Sequence, residues 1–364
     1  MEYVYPIRLE ASLHSTIWGG RRLEREGWKQ IPTGADTIGE SWETEISTIV
    51  QNGPLAGKTL GTLVEELGAA LLGEQAMAIF GRHFPLLAKF IDANDKLSVQ
   101  VHPDDEYAAQ YEGGKMGKTE FWYILAAEPG AYIVHGFSKP TSRVEVEQAI
   151  QDMTLDTLLH EANVTAGDVI FVPAGTVHAI GSGVMLYELQ EYSDITYRLY
   201  DYGRLTAAGT PRDLHIECAL DVTHYDRSSR IKVRPVPLTE GAGYADRCLV
   251  ACKYFVTREL TFRQGYHNLL PSPGPEERNE PDSSLQGQTG KSCIILSSLG
   301  AELQVRYGPS LSQYEHLSRG QTMVLPAALG TYAIEGSGVL LFSYVPTPGD
   351  EVWQLWEANN SERG

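Results

Sequence analysis

The chain has 364 residues, 42% hydrophobic and 21% charged, a composition that indicates a folded globular protein long enough for two packed domains. Its 47 acidic and 29 basic residues give a formal net charge of -18, which opposes binding to nucleic acid or to an anionic membrane surface. The four cysteines form no CxxC pair, and no apolar segment reaches the roughly 18 residues of a membrane helix. These features favour a cytoplasmic protein without a disulfide framework or a thiolate zinc site.

Two segments have the apolar periodicity of helices, and the rest of the chain has patterns typical of β-strands. Apolar residues return every three or four positions at about 60–90 and again at about 142–162. Elsewhere, short Val/Ile/Tyr-rich runs alternate with Gly and Pro turn signals, as in WYILAAEPGAYIVHGF. The sequence therefore predicts a mainly β fold, a sandwich or barrel, with two helical insertions.

A short internal repeat, an echo of one segment in another, suggests a second β unit toward the C-terminus. The segment GDVIFVPA at 167–174 recurs as GQTMVLPA at 320–327, and Tyr332 then stands where the first unit has His178. We place the boundary in the polar stretch at 226–232, which predicts a first domain at 1–230 and a second at 231–364, in which a tyrosine replaces the histidine of the first. Proline and charge dominate 271–292, which is expected to be an exposed, mobile loop.

The densest set of polar residues lies in the segment KLSVQVHPDD. Residues two apart in a strand share a face, so Ser98, Gln100 and His102 are predicted to point the same way. After a Gly/Lys turn, Lys118 and Glu120 share a face of the next strand by the same period. Each strand is therefore expected to present polar groups on one side.

A third strand ends at PAGTVHAI and delivers His178 from a turn. With His102, Glu120 and the amide oxygen of Gln100, it makes a mixed nitrogen and oxygen set suited to Zn²⁺, Mn²⁺, Fe²⁺ or Co²⁺. Taken singly, Gln100 could be an ordinary sheet residue and either histidine could be hydrogen-bonded in the core. The other eight histidines have no partner at ligand spacing and are expected in ordinary hydrogen bonds.

The segment GDVIFVPAGTVHAI also satisfies the second cupin motif, G-x5-P-x-G-x2-H. In the first cupin motif, H-x-H followed closely by Glu, Gln100 replaces the first histidine and Glu120 stands further along. Together with IWGG at 17–20, GESWE at 39–43 and YRLYDYGR at 197–204, this departure resembles type I phosphomannose isomerases in their short bacterial form. The resemblance spans nearly the whole chain.

The resemblance implies a cupin jelly-roll β-sandwich with helical insertions, followed by a second, degenerate cupin-like domain. It implies an aldose-ketose isomerase that interconverts D-mannose 6-phosphate and D-fructose 6-phosphate through an enediol, with one divalent metal, zinc by preference. A small phosphorylated sugar is the expected partner, and the oligomeric state is left open. The residues so implied are Gln100, His102, Glu120 and His178 for the metal, Lys118, Glu188 and Arg198 for catalysis, and Ser98 and Arg204 for binding the substrate near its phosphate.

Two other functions are compatible with a cupin fold. One is a sugar-binding protein without turnover, against which the presence of Lys118, Glu188 and Arg198 argues. The other is an iron-dependent cupin oxygenase, which gives no reason for the grouping of arginine and lysine. The sequence does not decide which of the three residues moves the proton, although a guanidinium more naturally stabilises enediolate charge.

Overall fold

The structure is a computed structural model that describes residues 4–34, 37–206, 208–227, 231–241, 243–263, 267–268, 287–300 and 302–361. Its strands, in chain order, are β1 (Ile7–Glu10), β2 (Ser12–His14), β3 (Glu40–Trp42), β4 (Ile49–Val50), β5 (Leu86–Ala93), β6 (Val99–Val101), β7 (Glu120–Ala127), β8 (Tyr132–Phe137), β9 (Leu159–Asn163), β10 (Val169–Val172), β11 (His178–Ile180), β12 (Val184–Glu191), β13 (Tyr197–Tyr200), β14 (Val236–Glu240), β15 (Tyr244–Ala251), β16 (Val256–Phe262), β17 (His267–Asn268), β18 (Gly287–Gln288), β19 (Ile294–Ser298), β20 (Glu302–Tyr307), β21 (Gln313–Leu317), β22 (Thr322–Leu325) and β23 (Thr331–Tyr344). The α-helices are α1 (Arg22–Arg25), α2 (Leu60–Leu67), α3 (Ala69–Leu72), α4 (Glu74–Phe80), α5 (Asp105–Tyr111), α6 (Arg143–Gln151), α7 (Ile216–Val222) and α8 (Glu351–Asn360).

Two antiparallel sheets pack face to face in the first 200 residues. One has the order β10-β7-β12-β5-β3-β2 and the other β13-β6-β11-β8-β9. Apolar side chains from both sheets meet between them, among them Ile91 and Trp122 from the first and Ile133 and Ile180 from the second. This arrangement confirms the predicted mainly β cupin sandwich.

A third sheet covers the outer face of the first one. Its main order is β14-β15-β16-β23-β19-β22-β1-β4, and its residues share a core with the β5, β7 and β12 side chains Phe90, Phe121 and Tyr187. The sheet β10-β7-β12-β5-β3-β2 is thus the middle of three layers. This position explains why β5 and β12 are buried along their whole length, including their charged residues.

Strand pairing crosses the predicted domain boundary. The N-terminal strand β1 lies between β22 and β4, with Ile7 opposite Val324 and Leu9 opposite Val50. The division at residue 230 stays a prediction, and residues 228–230 lie outside the described ranges. In the echo of the two units, Gly167 and Gly320 both have positive φ, +91° and +72°, and each precedes a strand, β10 or β22.

The first predicted helical segment is wrong in its C-terminal part. Helices α2, α3 and α4 occupy residues 60–80, but 86–90 belong to strand β5. The helices end at Gly68, Gly73 and Gly81, whose φ values of +49°, +83° and +64° are compatible with glycine and terminate the helical path. Periodicity alone did not separate the strand because its burial on both faces gives it no alternation.

The second predicted helical segment is also too long. Helix α6 ends at Gln151, and residues 159–162 lie in strand β9. Met153, at φ +57°, takes the left-handed conformation just after the helix and so stops it.

The predicted loop at 271–292 lies outside the described residues up to position 286, and Gly287–Gln288 form β18. Within the ranges given above, none of the helices combines the length and the apolar character that a bilayer span requires.

Candidate active site

A row of polar residues crosses the sheet that contains β6, β11 and β13. Gln100 is directly opposite His178 on one side and Arg198 on the other, and directly paired residues share a face of the sheet. The intervening Val99 and Val101 are buried in a separate core on the opposite side, against helices. The alternation expected from the sequence therefore turns the polar row toward the middle sheet.

The middle sheet contributes a facing set of charged residues. Glu120 is the first residue of β7, and Glu188 lies in the middle of β12, with Lys89 and Trp122 as its direct neighbours on β5 and β7. The candidate site accordingly lies between the two sheets of the sandwich, and neither sheet forms it alone.

Three metal-ligand side chains converge there. Nε2 of His102 is 3.6 Å from Oε2 of Glu120, and Nε2 of His178 is 3.4 Å from Oε1 of the same carboxylate. All three potential ligand atoms lie within 4.8 Å of one another, and the side chains are at most 1% exposed. This buried His-Glu-His group could hold a metal ion.

Both imidazoles are fixed in the form that a metal requires. Nδ1 of His102 donates to the carbonyl of Ile195 and Nδ1 of His178 to the carbonyl of Thr176, each at 2.8 Å. Because a carbonyl only accepts, these bonds set the tautomer and leave the Nε2 lone pairs directed at Glu120. Burial lowers the pKa of His178 to about 3, and burial together with the charge of Lys118 lowers that of His102 well below its usual range.

The fully buried Glu120 carboxylate forms an ion pair with Lys118 and accepts no hydrogen bond of good geometry from the described residues. Burial first, and then the charge of Glu188, raises the pKa of Glu120. Nζ of Lys118 lies 3.1 Å both from Oε2 of Glu120 and from Nε2 of His102. Glu120 thus shares a single ammonium group with His102, and its Oε1 lies 3.4 Å from the second neutral imidazole. A buried carboxylate between two neutral imidazoles fits a bound cation, so the residues present are compatible with a metal.

Gln100 approaches this group from β6. Its Nε2 atom is 3.3 Å from Nε2 of His178. Rotating the terminal amide by 180° would place Oε1, which is a possible metal ligand, at this position instead of Nε2.

The carboxylate of Glu188 is held by two donors. Nζ of Lys89 is 3.1 Å from Oε1, and the indole nitrogen of Trp122 donates to Oε2 at 3.0 Å. Burial would raise the pKa of Glu188, but the charges of Lys89 and Lys118 outweigh it and lower the pKa. Glu188 is therefore an ionised, oriented carboxylate.

Lys89 was missed in the sequence analysis. It is buried, and its ammonium group also lies 4.7 Å from the centre of the Trp42 ring. The available signal was a lysine within the mainly apolar strand segment LLAKFIDA, where a buried charge needs a partner.

A cavity of about 490 Å³ opens at this site. Of the residues expected from the sequence, it is lined by Ser98, Gln100, Lys118, His178, Glu188 and Arg198. Arg198 is fixed by Nε donation to Oγ of Ser98 at 3.2 Å and by Nη1 donation to the carbonyl of Asp213 at 2.8 Å. Arg204 is not among the lining residues, whereas Arg212, which the sequence analysis did not consider, is.

The motif glycine Gly175 holds the two histidines in place. Its φ is +83°, and a Cβ atom there would lie 2.7 Å from the ring of His224. Its amide donates to the carbonyl of His102 at 2.8 Å, which ties the turn before His178 to the end of β6. Only glycine meets both requirements without strain.

Comparisons with known proteins point to one family. The family described as phosphomannose isomerase type I, catalytic domain, matches residues 7–135. Mannose-6-phosphate isomerase of Streptococcus mutans is 34% identical, over 93% of this chain and 98% of its own length. Mannose-6-phosphate isomerase ManA of Bacillus subtilis is also 34% identical, over 93% of this chain and 99% of its own.

Solved structures give the same result. The crystal structure of a Bacillus subtilis mannose 6-phosphate isomerase has a TM-score of 0.79 at 30% identity and covers 93% of this chain and 99% of that one. A mutant phosphomannose isomerase of Salmonella typhimurium has a TM-score of 0.71 at 15% identity, over 94% of this chain and 100% of that one. At this low identity the second likeness shows the fold alone.

Proposed function

This chain belongs to the type I phosphomannose isomerase family, and we propose that it is a metal-dependent isomerase that interconverts D-mannose 6-phosphate and D-fructose 6-phosphate through an enediol. The observation that carries the proposal is the buried His102–Glu120–His178 group beside a cavity lined by Lys118 and Arg198. A sugar-binding protein without turnover would not need this combination of metal ligands and charged groups.

The proposed ligands of one divalent metal are Gln100, His102, Glu120 and His178. We propose zinc, because imidazole nitrogens and a carboxylate without a thiolate form a common catalytic zinc set. When bound, a divalent metal polarises the sugar's oxygens and stabilises negative charge that develops on them. The neutral imidazoles and the buried Glu120 carboxylate between them support this assignment.

The remaining charged side chains have the chemistry that an enediol reaction needs. The reaction removes a proton from the carbon next to the carbonyl and returns it to the neighbouring carbon. Lys118 and Glu188 line the cavity and are our two candidates for moving that proton. Arg198, whose guanidinium stays charged and is oriented by Ser98, is assigned to stabilise the enediolate.

The direct test is a turnover assay. Protein reconstituted with Zn²⁺ is incubated with mannose 6-phosphate, and formation of fructose 6-phosphate is followed, with glucose 6-phosphate and unphosphorylated mannose as controls. We expect turnover with mannose 6-phosphate that a chelator abolishes and added metal restores. Binding without turnover would indicate a sugar-binding cupin, and metal-dependent consumption of dioxygen would indicate an oxygenase.

The role of Arg198 is tested by substitution. We expect Arg198→Ala to retain the fold and the metal content while lowering kcat by about 10²-fold or more, the scale for loss of a preorganised charge donor. An Arg198→Ala protein with parental kcat and KM would contradict the assignment.

A further inference from the structure

Arg204 and Arg212 both contact one aspartate near the cavity. Arg212 donates from Nε to Oδ2 of Asp201 at 2.8 Å and from Nη2 to Oδ1 at 2.5 Å, and Nη2 of Arg204 donates to Oδ1 at 2.5 Å. The Asp201 side chain is only 6% exposed. A buried carboxylate thus fixes the orientation of two guanidinium groups.

The backbone around Asp201 is held in an unusual conformation. The amide of Arg204 donates to the carbonyl of Asp201 at 3.0 Å, and the two residues between them, Tyr202 and Gly203, have φ values of +58° and +68°. A tyrosine in the left-handed region costs conformational energy and persists only where its surroundings hold it. This tight turn determines where Asp201 and Arg204 lie relative to each other.

Each guanidinium nitrogen of Arg204 donates a hydrogen bond to a protein acceptor. Besides its contact with the Asp201 carboxylate, it donates from Nε to the Asp201 carbonyl at 3.4 Å and from Nη1 to the carbonyl of Lys96. It also lies 3.6 Å from the Asp95 carboxylate. All three guanidinium nitrogens therefore have acceptors, and the side chain does not line the cavity.

Arg212, unlike Arg204, lines the cavity and has a guanidinium nitrogen without an acceptor among the described residues. It lines the cavity, and the hydrogen bonds that it makes to the described part of the chain all run to Asp201, which leaves Nη1 without an acceptor there. Burial first, and then the charge of Arg212, lowers the pKa of Arg198. These two cations, which both line the cavity, therefore repel each other. A dianion bound beside Arg212 would relieve that repulsion.

We propose that Arg212, positioned by Asp201, binds the phosphate group of the sugar-phosphate substrate, in place of the Arg204 expected from the sequence. The proposal rests on the proposed function, because it assigns one end of the substrate of that reaction. With Nε and one hydrogen of Nη2 held by Asp201, the Nη1–H and the second Nη2–H of Arg212 form a free edge that suits bidentate recognition of phosphate. The chain's net charge of -18 does not oppose this, since the local charges decide the potential at the site.

The test compares the metal-loaded parental protein with Arg212→Gln and Arg212→Lys. A matched control is Arg143→Gln, which removes an exposed arginine that is likewise held by two acids, Glu217 and Asp221, and does not line the cavity. We expect Arg212→Gln to raise KM for mannose 6-phosphate about tenfold to a hundredfold with a much smaller change in kcat, the scale of one charge-assisted contact. Arg212→Lys should fall between this variant and the parental protein, and Arg143→Gln should match the parental protein.

Calorimetric titration with inorganic phosphate provides a readout that does not depend on turnover. We expect its Kd to rise in Arg212→Gln and to stay unchanged in Arg143→Gln. An unchanged KM and phosphate Kd in Arg212→Gln, or a loss confined to kcat, would overturn the assignment. If the parental protein showed no isomerisation, the proposed function would fail, and the phosphate titration would still decide the role of Arg212.

Discussion

Contacts around the ring of His178 determine its tautomer and its protonation state. Its Nδ1 donates to the carbonyl of Thr176, the edge of the Trp122 ring system lies against it at a centroid distance of 5.5 Å, and its Nε2 faces Glu120. Burial holds the pKa of His178 at about 3. The imidazole therefore remains neutral at physiological pH and needs no deprotonation before it binds a metal.

Replacing His178 should remove metal affinity while the sheet remains. We expect His178→Ala to weaken Zn²⁺ binding by at least about 100-fold, since even residues that only orient a ligand cost 10- to 100-fold. Metal content after equilibrium dialysis against a competing chelator measures this. The matched control is His83→Ala, which changes an exposed histidine. Parental affinity in His178→Ala would contradict the proposed ligand set.

Glu191 predicts a pH dependence of stability. Its Oε1 accepts from the amide of Thr119 at 2.8 Å, while its Oε2 has no hydrogen-bond partner among the described residues. Burial, and then the charge of Asp105, raises the pKa of Glu191 from 4.5 to about 9. Between these values the folded state keeps a proton that the unfolded state releases, so the free energy of unfolding falls as pH rises.

Glu191→Gln should remove this slope. Glutamine keeps an oxygen for Thr119 but does not titrate, so we expect the variant to gain stability relative to the parental protein, by up to about 1.4 kcal/mol for each pH unit between 5 and 9. Denaturant unfolding of both proteins at pH 5, 7 and 9 measures the difference. Parallel pH profiles for the two proteins would show that Glu191 is ionised in the folded state.

At the scale of elements, the turn before β11 connects two strands of the site. Gly175 takes a positive φ of +83°, fits against His224 and donates to His102. We expect Gly175→Ala to cost about 1–3 kcal/mol of stability through backbone strain and to weaken metal binding, because the turn sets the position of both histidines. Gly167→Ala is the matched control, since that glycine also has a positive φ, +91°, but its Cβ would meet no atom within 4 Å.

The two variants separate local strain from the effect on the site. Both should lose stability in thermal unfolding, and only Gly175→Ala should lose metal affinity beyond that of the parental protein. Equal metal affinities would mean that the turn does not position the ligands.

At the scale of the whole molecule, the third sheet covers the sandwich that holds the site. Tyr123 of β7 donates to Glu259 of β16 at 2.7 Å, and Trp356 of α8 packs its ring against Phe171 of β10 at a centroid distance of 5.9 Å. The fully buried Ile7 of β1 lies opposite Val324. The catalytic half is therefore expected to depend on the other half for its core.

Truncation tests this dependence. A fragment of residues 1–230 retains every proposed metal ligand but exposes the outer face of the middle sheet and leaves β1 without β22. We expect it to aggregate or to unfold without a cooperative transition, because the exposed apolar surface exceeds what a soluble monomer shows. A monomeric fragment with the parental melting temperature and one bound metal would contradict this.

Features that depend on local spacing could be predicted from the amino-acid sequence alone. Alternation in a strand decides which residues share a face, so Gln100 and His102 could be predicted on one side of β6, and the motif glycine could be predicted before His178. The packing of the sheets determines which faces meet. Strand β1 pairs with β22, Lys89 lies beside Glu188, and Arg212 lines the cavity where Arg204 does not. The first two are contacts between residues distant in the chain. The third depends on how Arg204 and Arg212 share the Asp201 carboxylate. Spacing along a sequence carries no information on them, since they depend on how the layers pack.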